Sequence, residues 1–203
     1  MDERELLARV RRGDEAAFEA LVRLYEKRIY TLCFRMCGSA QDAEEAAQDT
    51  FLALWRGAAG FREEAALSTW LYRLAANASV DLLRRRKRRA PSLSLDDEAA
   101  FSDVADASPP PQEEAERRET RRLLQAGLLA LPELYREIIL LREVEDLSYA
   151  EIASITSLEL GTVKSRISRG RQLLRNYLSS GGNFFASSAS KVTECDRKEL
   201  SAR

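Results

Sequence analysis

LSYAEIASITSLELGTVKSRISRGRQLLRNYL, residues 147–178, is the stretch of the chain that decides the fold. Ser148 precedes Glu151 by three residues, the spacing of a reciprocal capping box, and apolar residues then recur at helical spacing. Residues 156–160 fit neither helical nor strand periodicity. Gly161 and Thr162 then provide a flexible residue and a hydroxyl cap for a second helix. The pattern predicts a helix-turn-helix.

The second predicted helix, residues 163–178, carries five basic residues and no acidic residue. Its apolar stripe, at about 100° per residue, contains Val163, Ile167, Gly170 and Leu174. The opposite stripe contains Lys164, Ser165, Ser168, Arg169 and Gln172. Arginine and serine can bond base edges in a major groove, and the flanking Arg171 and Arg175 can hold phosphates. An ordinary amphipathic helix with a solvated basic face is the alternative, but the capped helix and the turn before it favour DNA binding.

The composition limits the classes of function that the chain can have. A net charge of -1 over 203 residues and a pI near 5.8 mean that any nucleic-acid surface must be local. Three cysteines and no histidine leave no Ser-His or Cys-His pair and no histidine-bearing zinc site. The sequence also lacks a glycine loop of the phosphate-binding type. We therefore expect no enzyme, no cofactor or metal, and no small-molecule substrate.

The location of the protein is also predicted from the sequence. No stretch approaches the about 20 apolar residues of a membrane span, and the first residues, MDERELLARVRRGDE, are charged where a signal peptide would be apolar. We expect a cytoplasmic protein without direct membrane insertion. Cys33 and Cys37 lie one helical turn apart, which would suit a thiol or metal switch. Burial as small apolar residues is the favoured interpretation.

Two helices are predicted in the first 57 residues. Asp14 can cap the first, in which apolar residues from Phe18 to Leu32 follow helical spacing. Asp42 and Glu45 form a possible capping box for the second, whose Gln48 and Asp49 point more toward solvent. A polar helix face is usually only solvated, so the pattern alone makes partner binding the minority interpretation.

A third helix is predicted to open at Ser68 and Thr69 and to run to about Arg89. Its buried side is expected to contain Leu71, Leu74, Ala75, Ala78 and Leu82. Another side carries an aromatic ring, cations and an amide, the groups that bind unstacked bases, at Trp70, Arg73, Asn77, Asp81 and Arg84. The alternative, favoured on pattern alone, is that Trp70 belongs to the core. The six cations of residues 84–89 favour phosphate without sequence discrimination.

The chain changes character between residues 91 and 112, where acidic residues lead into Pro109–Pro111. This composition predicts a flexible linker. Helical periodicity resumes over residues 113–131, and Pro132 starts the helix that leads to the helix-turn-helix. We therefore predict an all-α chain of two small helical domains, residues 1–90 and 113–178, with a disordered tail at residues 179–203.

Four strings of the sequence together resemble a bacterial RNA polymerase sigma factor of the extracytoplasmic-function (ECF) type, group 4 of the sigma-70 family. They are RRGDEAAFEALVRLY (11–25), DAEEAAQDTFLALW (42–55), STWLYRLAANASVDLLRRRKR (68–88) and LSYAEIASITSLELGTVKSRISRGR (147–171). Their order is that of the family, with its short linker between the third and the fourth. The resemblance covers about residues 5–178 and implies a region 2 helical bundle followed by a region 4 helix-turn-helix.

The resemblance implies a role for each string. The second matches the helix that docks on core RNA polymerase, so the polymerase-facing candidates are Asp42, Glu45, Gln48 and Asp49. The third matches the segment that melts the promoter and captures the minus-ten non-template strand, with candidates Phe61, Ser68, Thr69, Trp70, Arg73, Asn77, Asp81 and Arg84. The fourth matches the reader of the minus-thirty-five element, with candidates Thr162, Lys164, Ser165, Arg166, Ser168, Arg169, Arg171 and Arg175. A cognate anti-sigma factor is a further implied partner.

The sequence departs from the family pattern at three positions. Ser157 stands where the family usually has glycine, Glu159 where it often has proline, and Ala46 where it usually has an aliphatic residue. The turn and the polymerase contact are therefore expected to differ in detail. Two alternatives stay open on the residues themselves: a stand-alone helix-turn-helix repressor or activator, and a helical adaptor whose basic segments bind acidic protein.

Overall fold

The computed structural model describes residues 3–61, 66–89 and 111–180. In those ranges all regular structure is helical, which confirms the predicted all-α class. The helices are α1 (Glu3–Val10), α2 (Glu15–Cys37), α3 (Ala40–Gly57), α4 (Leu67–Arg89), α5 (Pro111–Ala130), α6 (Glu133–Glu143), α7 (Tyr149–Thr156) and α8 (Leu160–Ser179), with a 3-10 turn at Ala58–Gly60. We call α1–α4 the N-terminal unit and α5–α8 the C-terminal unit. Most of the predicted linker and tail lies outside the described residues.

The ends of α2 follow local chemistry. The side chain of Asp14 accepts a hydrogen bond from the Ala17 amide at 3.0 Å, as predicted for an N-cap. The helix ends at Gly38, whose φ of +80° is a left-handed conformation that glycine adopts without strain. Its amide donates to the Phe34 carbonyl at 2.8 Å. The C-terminal unit contacts this end of α2.

Two features of the N-terminal unit differ from the sequence prediction. Ser39, not Asp42, is the N-cap of α3, and it accepts from the Asp42 amide, so Asp42 lies inside the first turn and is buried. Ser39, three residues upstream, competes with Asp42 to cap α3. The Asp42 carboxylate instead forms an ion pair with Arg86 of α4. The helix α1 was not predicted, although Leu6, Leu7 and Val10, all buried, have helical spacing.

The helix-turn-helix forms as predicted at α7. The Ser148 side chain accepts from the Glu151 amide at 3.2 Å, and the Glu151 carboxylate accepts from the Ser148 amide at 2.8 Å, completing the capping box. The predicted hydroxyl cap of the second helix is wrong, because α8 begins at Leu160 and Thr162 lies in its first turn. Glu159 is the N-cap residue and makes no side-chain cap. The first turn of α8 therefore leaves amides unbound by side chains.

A close crossing of α6 and α8 holds the C-terminal unit together. A Cβ added at Gly170 would lie 2.7 Å from Cγ1 of Ile139, so the glycine permits the two helices to approach. Val163 and Ile167 of α8 are also buried, as the predicted apolar stripe required. Leu123 and Leu124 of α5, which follow the helical periodicity, are instead about two fifths exposed, at 39% and 42%. The apolar pattern of α5 is thus only partly covered.

The two units are in contact with each other. The buried apolar residues of both form one connected cluster. Gln125 Nε2 donates to the Phe34 carbonyl at 3.3 Å, and the buried Arg136 donates to the Met36 carbonyl. The side chain of Leu129 lies where a Cβ on Gly38 would be, 2.6 Å away. The end of α2 is therefore capped by the C-terminal unit, an arrangement that no local pattern predicted.

Candidate nucleic-acid interface

The predicted base-reading face of α8 is exposed. Val163 and Ile167 are buried beneath it, whereas solvent reaches the opposite face at Lys164, Ser165, Ser168, Arg169 and Gln172. Arg169 donates to the Gln172 side chain at 3.0 Å, and Ser165 donates to the Thr162 carbonyl at 2.9 Å. Both bonds hold polar side chains along the helix surface. The face carries positive charge and hydrogen-bonding groups and has the dimensions of a helix that enters a major groove.

The three remaining arginines of α8 have different surroundings. Arg171 donates to the Glu143 carboxylate at 2.6 Å, and this bond raises the pKa of Arg171. Arg175 lines a groove between α6 and α8, next to Leu174 and Leu178. Arg166 is half-buried and lies in the field of Glu137. Their positions flank the exposed face, as a phosphate-holding role requires, but Glu143 partly neutralises Arg171.

The candidate strand-binding face of α4 presents four exposed residues. Arg73, Asn77, Asp81 and Arg84 lie along one side of the helix. Asp81 lies 3.8 Å from Arg84 in an exposed i,i+3 pair, which leaves the amide of Asn77 between two arginine positions. An amide of this kind can bond the Watson-Crick edge of an extruded base. The structure therefore brings these four candidates together.

Trp70 lies in the core and does not present an open ring face. Its exposed fraction is 8%, and its ring stacks on Phe61 at a centroid distance of 4.5 Å. The alternative weighed on the sequence, that Trp70 is a core residue, is what the structure shows in this conformation. Trp70 therefore offers no free aromatic surface on α4 in this conformation, because its ring is stacked on Phe61 in the core. Residues 62–65, in the loop between them, lie outside the described residues.

Two polar candidates at the start of α4 also face inward. Ser68 is half-buried, and Thr69 is 4% exposed. The Thr69 hydroxyl lies 3.5 Å from the Glu151 carboxylate of α7, across the contact between the two units. This contact joins a candidate of the strand-binding helix to the capping box of the helix-turn-helix. In this conformation Thr69 is covered.

The candidate partner-binding acids of α3 are paired with the basic end of α4. Asp42, 2% exposed, lies 2.5 Å from Arg86. Burial raises the pKa of Asp42, and the nearby Arg86 opposes that rise. Arg85 lies 3.6 Å from Glu45 and 3.3 Å from Asp49. The cations predicted to contact phosphate therefore also hold the acids of α3 in place.

The exposed face of α3 contains one residue that the sequence analysis missed. Glu45, Gln48 and Asp49 recur at i, i+3 and i+4, and Leu52 follows at i+7 with 48% of its surface exposed. Single exposed leucines are common on protein surfaces, so only its place beside the candidate partner-binding residues makes Leu52 a further candidate. The i+7 spacing could have identified it. Asp42, by contrast, is too deeply buried to share this face.

Other site classes find little support in the described part of the chain. No helix there is long and apolar enough to cross a membrane, and no group of three potential metal ligands was found among those residues. Burial raises the pKa of Cys33 to about 11 and that of Cys37 to about 12. Thiols with such values stay protonated near neutral pH and are poor nucleophiles. Their surroundings are those of packed side chains.

The family comparisons divide the chain in the same way as the helices. Residues 21–89 match the family profile described as Sigma-70 region 2, and residues 121–174 match Sigma-70, region 4. The chain is 36% identical over 179 residues to the ECF RNA polymerase sigma factor SigW of Bacillus subtilis, covering 85% of this chain and 94% of that protein. It is 37% identical over 176 residues to the RNA polymerase sigma-H factor of Pseudomonas aeruginosa, covering 85% and 91%.

Solved structures show the same fold. CnrH in complex with the cytosolic domain of CnrY has a TM-score of 0.64 and 25% identity, covering 88% of this chain and 97% of that one. The sigma factor RpoE in complex with the anti-sigma factor NepR from Bartonella quintana has a TM-score of 0.61 and 24% identity, covering 80% and 96%. Both matches extend across the two helical units.

Proposed function

This chain belongs to the ECF RNA polymerase sigma factors of the sigma-70 family, and from that premise we propose how its surfaces divide the work of promoter-directed transcription initiation. As a member of that family the protein binds core RNA polymerase and promoter DNA. In this proposal the protein acts by binding and positioning these two partners. The observation that carries the proposal is the coexistence of an exposed basic face on α8 with an exposed amide and cations on α4.

Residues 1–90 act as region 2 and residues 113–178 as region 4 in this proposal, joined by the linker of residues 91–112 and followed by the tail of residues 179–203. Lys164, Ser165, Ser168 and Arg169 read the minus-thirty-five duplex, since arginine and serine bond base edges in the major groove. Arg171 and Arg175 hold its phosphates. Thr162 and Arg166 border the same face of α8. The exposure of this face supports the assignment.

The minus-ten element is assigned to α4. Asn77, flanked by Arg73 and Arg84, bonds a base that has left the stack, and the arginines contact the strand backbone. Asp81 orients Arg84 through its ion pair. Phe61, Ser68, Thr69 and Trp70 support the segment from the buried side. Because Trp70 is a core residue here, a stacking role for its ring would require the Phe61 contact to open.

Core polymerase is assigned to the exposed face of α3. Glu45, Gln48 and Asp49 supply charge and hydrogen bonds, and Leu52 supplies the apolar centre of the contact. Asp42 supports this face from below through Arg86. We place the protein in the cytoplasm, where polymerase is found. A cognate anti-sigma factor is a further proposed partner.

One experiment tests the proposal against its competitors. Purified protein is mixed with core polymerase and a promoter fragment selected from a random library, and specific transcript initiation is measured. A sigma factor confers initiation that depends on polymerase and on both promoter elements. Specific binding to duplex DNA without any initiation would instead identify a stand-alone repressor or activator, and no DNA dependence would identify an adaptor.

A further inference from the structure

Arg11, in the corner between α1 and α2, is bonded to a distant part of the chain. Its guanidinium donates to the carbonyl of Ala58 at 3.3 Å and to the carbonyl of Phe61, which lie 47 and 50 residues further along the sequence. Ala58 is the first residue of the 3-10 turn at Ala58–Gly60, and Phe61 is the residue that ends it. One side chain therefore holds both ends of the turn that follows α3.

The corner that carries Arg11 is itself held in place. Leu6, Leu7 and Val10 bury α1 against the core. The amide of Arg11 donates to the Leu7 carbonyl at 3.0 Å, and the amide of Gly13 donates to the Val10 carbonyl at 2.9 Å. Because both bonds lie in the backbone on either side of its position, Arg11 reaches the 3-10 turn from a defined place on the N-terminal unit.

The 3-10 turn has few local features that would fix its conformation. Its sequence, Ala58-Ala59-Gly60, lacks the Pro, Asn, Asp or Ser residues that stabilise turns through their own side chains. The backbone bond across it, from the Phe61 amide to the Ala58 carbonyl, is 3.3 Å long. Hydrogen bonds from a charged donor are stronger than neutral ones. The two bonds from Arg11 therefore contribute order that the local sequence does not provide.

Both ends of the same turn contact Trp70 of α4. The rings of Phe61 and Trp70 stack with their centroids 4.5 Å and their planes 15° apart. A Cβ added at Gly57, just before the turn, would lie 3.0 Å from Cζ2 of Trp70. Trp70 precedes Arg73 and Asn77 by three and seven residues, so helical spacing places the three on one side of α4. The turn thus packs against the first residue of the side that carries the candidate base-binding amide.

We propose that Arg11 is a positioning residue for capture of the minus-ten strand: it holds the 3-10 turn against Trp70 and so keeps the start of α4 in place to receive an extruded base. The proposal rests on the assignment of α4 to the minus-ten strand. A site that is ordered before the strand arrives binds more tightly, because ordering it on binding opposes association. Arg11 acts through the turn, so this role needs no contact between Arg11 and DNA.

The first test measures the contact with Trp70 in the free chain. Trp55→Phe leaves Trp70 as the only tryptophan, so acrylamide quenching of fluorescence reports the exposure of its ring. In that background Arg11→Gln should raise the quenching constant about twofold, because a turn that opens more often exposes the ring. Arg12→Gln is the matched control, since Arg12 is the next residue, is exposed and carries the same charge. The control should leave the quenching constant unchanged.

The second test measures promoter opening by the holoenzyme. Arg11→Gln holoenzyme should be recruited to duplex promoter normally but form open complexes about 10-fold less, the effect of losing hydrogen bonds from a charged donor. Arg11→Lys keeps the charge but lacks the rigid fork of donors, so its defect should lie within about twofold of that of Arg11→Gln. Arg12→Gln should open the promoter as the wild type does. Full activity of Arg11→Lys would show that charge alone matters and would overturn the proposal.

A double variant tests whether Arg11 acts through the turn. Phe61→Leu removes the ring that stacks on Trp70 and leaves Arg11 intact. If both residues serve one contact, Arg11→Gln combined with Phe61→Leu should reduce opening no more than the larger of the two single defects. Defects that multiply would contradict the proposal, because independent effects add in free energy. Circular dichroism melting establishes that each variant is folded, and Arg11→Lys replaces Arg11→Gln in every comparison if the latter does not fold.

Failure of the proposal and failure of the α4 assignment have different signatures. An unchanged quenching constant for Arg11→Gln, or normal opening by Arg11→Gln where Asn77→Ala is defective, overturns the role of Arg11 and leaves the α4 assignment standing. Normal opening by both variants, with the quenching constant raised in Arg11→Gln, overturns the α4 assignment and the proposal with it. A raised quenching constant together with defective opening by Arg11→Gln and Arg11→Lys, absent from Arg12→Gln, supports the proposal.

Discussion

Ser157 holds a left-handed backbone conformation at the end of α7, with a φ of +56°. Its amide donates to the Ala153 carbonyl and so ends the helix before the turn of the helix-turn-helix. A residue with a Cβ pays about 1–2 kcal/mol for this conformation, which glycine adopts freely. Serine therefore holds here a left-handed conformation that glycine would adopt without that cost.

Replacing Ser157 by glycine should therefore stabilise the protein. We expect Ser157→Gly to raise the free energy of unfolding by about 1 kcal/mol in urea denaturation. Ser154→Gly is the matched control, because Ser154 is exposed within α7 and its replacement should lower that free energy by about 0.5–1 kcal/mol. Effects of the same sign at both positions would contradict the explanation.

The arginines of α8 should divide into base readers and phosphate contacts. Arg169→Ala removes a group from the exposed face, so it should cost about 1–3 kcal/mol of promoter binding and relax specificity at one base pair. Arg175→Ala should weaken all promoters alike and reduce the salt dependence. Binding of a promoter library by reconstituted holoenzyme measures both. Identical shifts across the library would remove the distinction.

Asn77 should act when the promoter opens. Its amide is exposed on α4, where it can bond a base that an intact duplex would not present. Asn77→Ala holoenzyme should be recruited normally but form open complexes about 10-fold less, the loss of one hydrogen bond to an extruded base. Permanganate footprinting of unpaired thymines on duplex and pre-melted promoters measures the defect. Wild-type opening on duplex DNA would exclude Asn77 from the mechanism.

At the scale of the elements, α3 and α4 act as one body. Arg85 and Arg86 of α4 hold Glu45, Asp49 and Asp42 of α3, so the basic end of one helix orients the acids of the other. These pairs leave Gln48 and Leu52 exposed on the outer side of α3. The polymerase-binding face proposed here therefore combines an apolar centre with acids whose orientation is set by the neighbouring helix.

Two leucines of α3 should have opposite effects when shortened. Leu52→Ala should leave the melting temperature almost unchanged and weaken core polymerase binding by about 10-fold, since an apolar anchor in an interface contributes about 1–2 kcal/mol. Leu54→Ala, at a residue that is 0% exposed, should destabilise the fold by about 2–5 kcal/mol. Thermal melting and titration with core polymerase distinguish them. Normal polymerase binding by Leu52→Ala would remove it from the interface.

At the scale of the whole molecule, acidic and basic residues almost balance. The chain has 32 basic and 33 acidic residues, and its acids pair with the same arginines that would contact DNA. A nearly neutral protein gains little from the general attraction of the DNA backbone. Recruitment to DNA through polymerase offsets this weakness, because the tethered units then meet the promoter at high local concentration.

The free protein should accordingly bind promoter duplex weakly. At physiological salt we expect a Kd weaker than about 1 µM, the range of non-specific binding, and tight specific binding only as holoenzyme. Fluorescence anisotropy with and without core polymerase measures both values. Nanomolar, sequence-specific duplex binding by the isolated chain would favour the repressor interpretation instead.

The sequence by itself determined the helices and their faces. The Ser148–Glu151 box, the Asp14 cap and the apolar stripe of α8 were predicted because capping and the 3.6-residue period depend on residues a few positions apart. The exposed face of α8 and the amide of Asn77 followed from the same period. The missed α1 and the misplaced cap of α3 show where short helices and neighbouring cap residues leave the local signal ambiguous.

Only the tertiary structure decided which residues from distant parts of the chain meet. Three contacts join residues on different elements: the stack of Trp70 on Phe61, the Asp42–Arg86 pair, and the ion pair of Lys87 on α4 with Glu133 on α6. Helical periodicity assigns a side chain to a face but not to a partner, because the partner depends on how helices cross. A run of arginines therefore has the same sequence pattern whether its partners are DNA phosphates or carboxylates of the same chain.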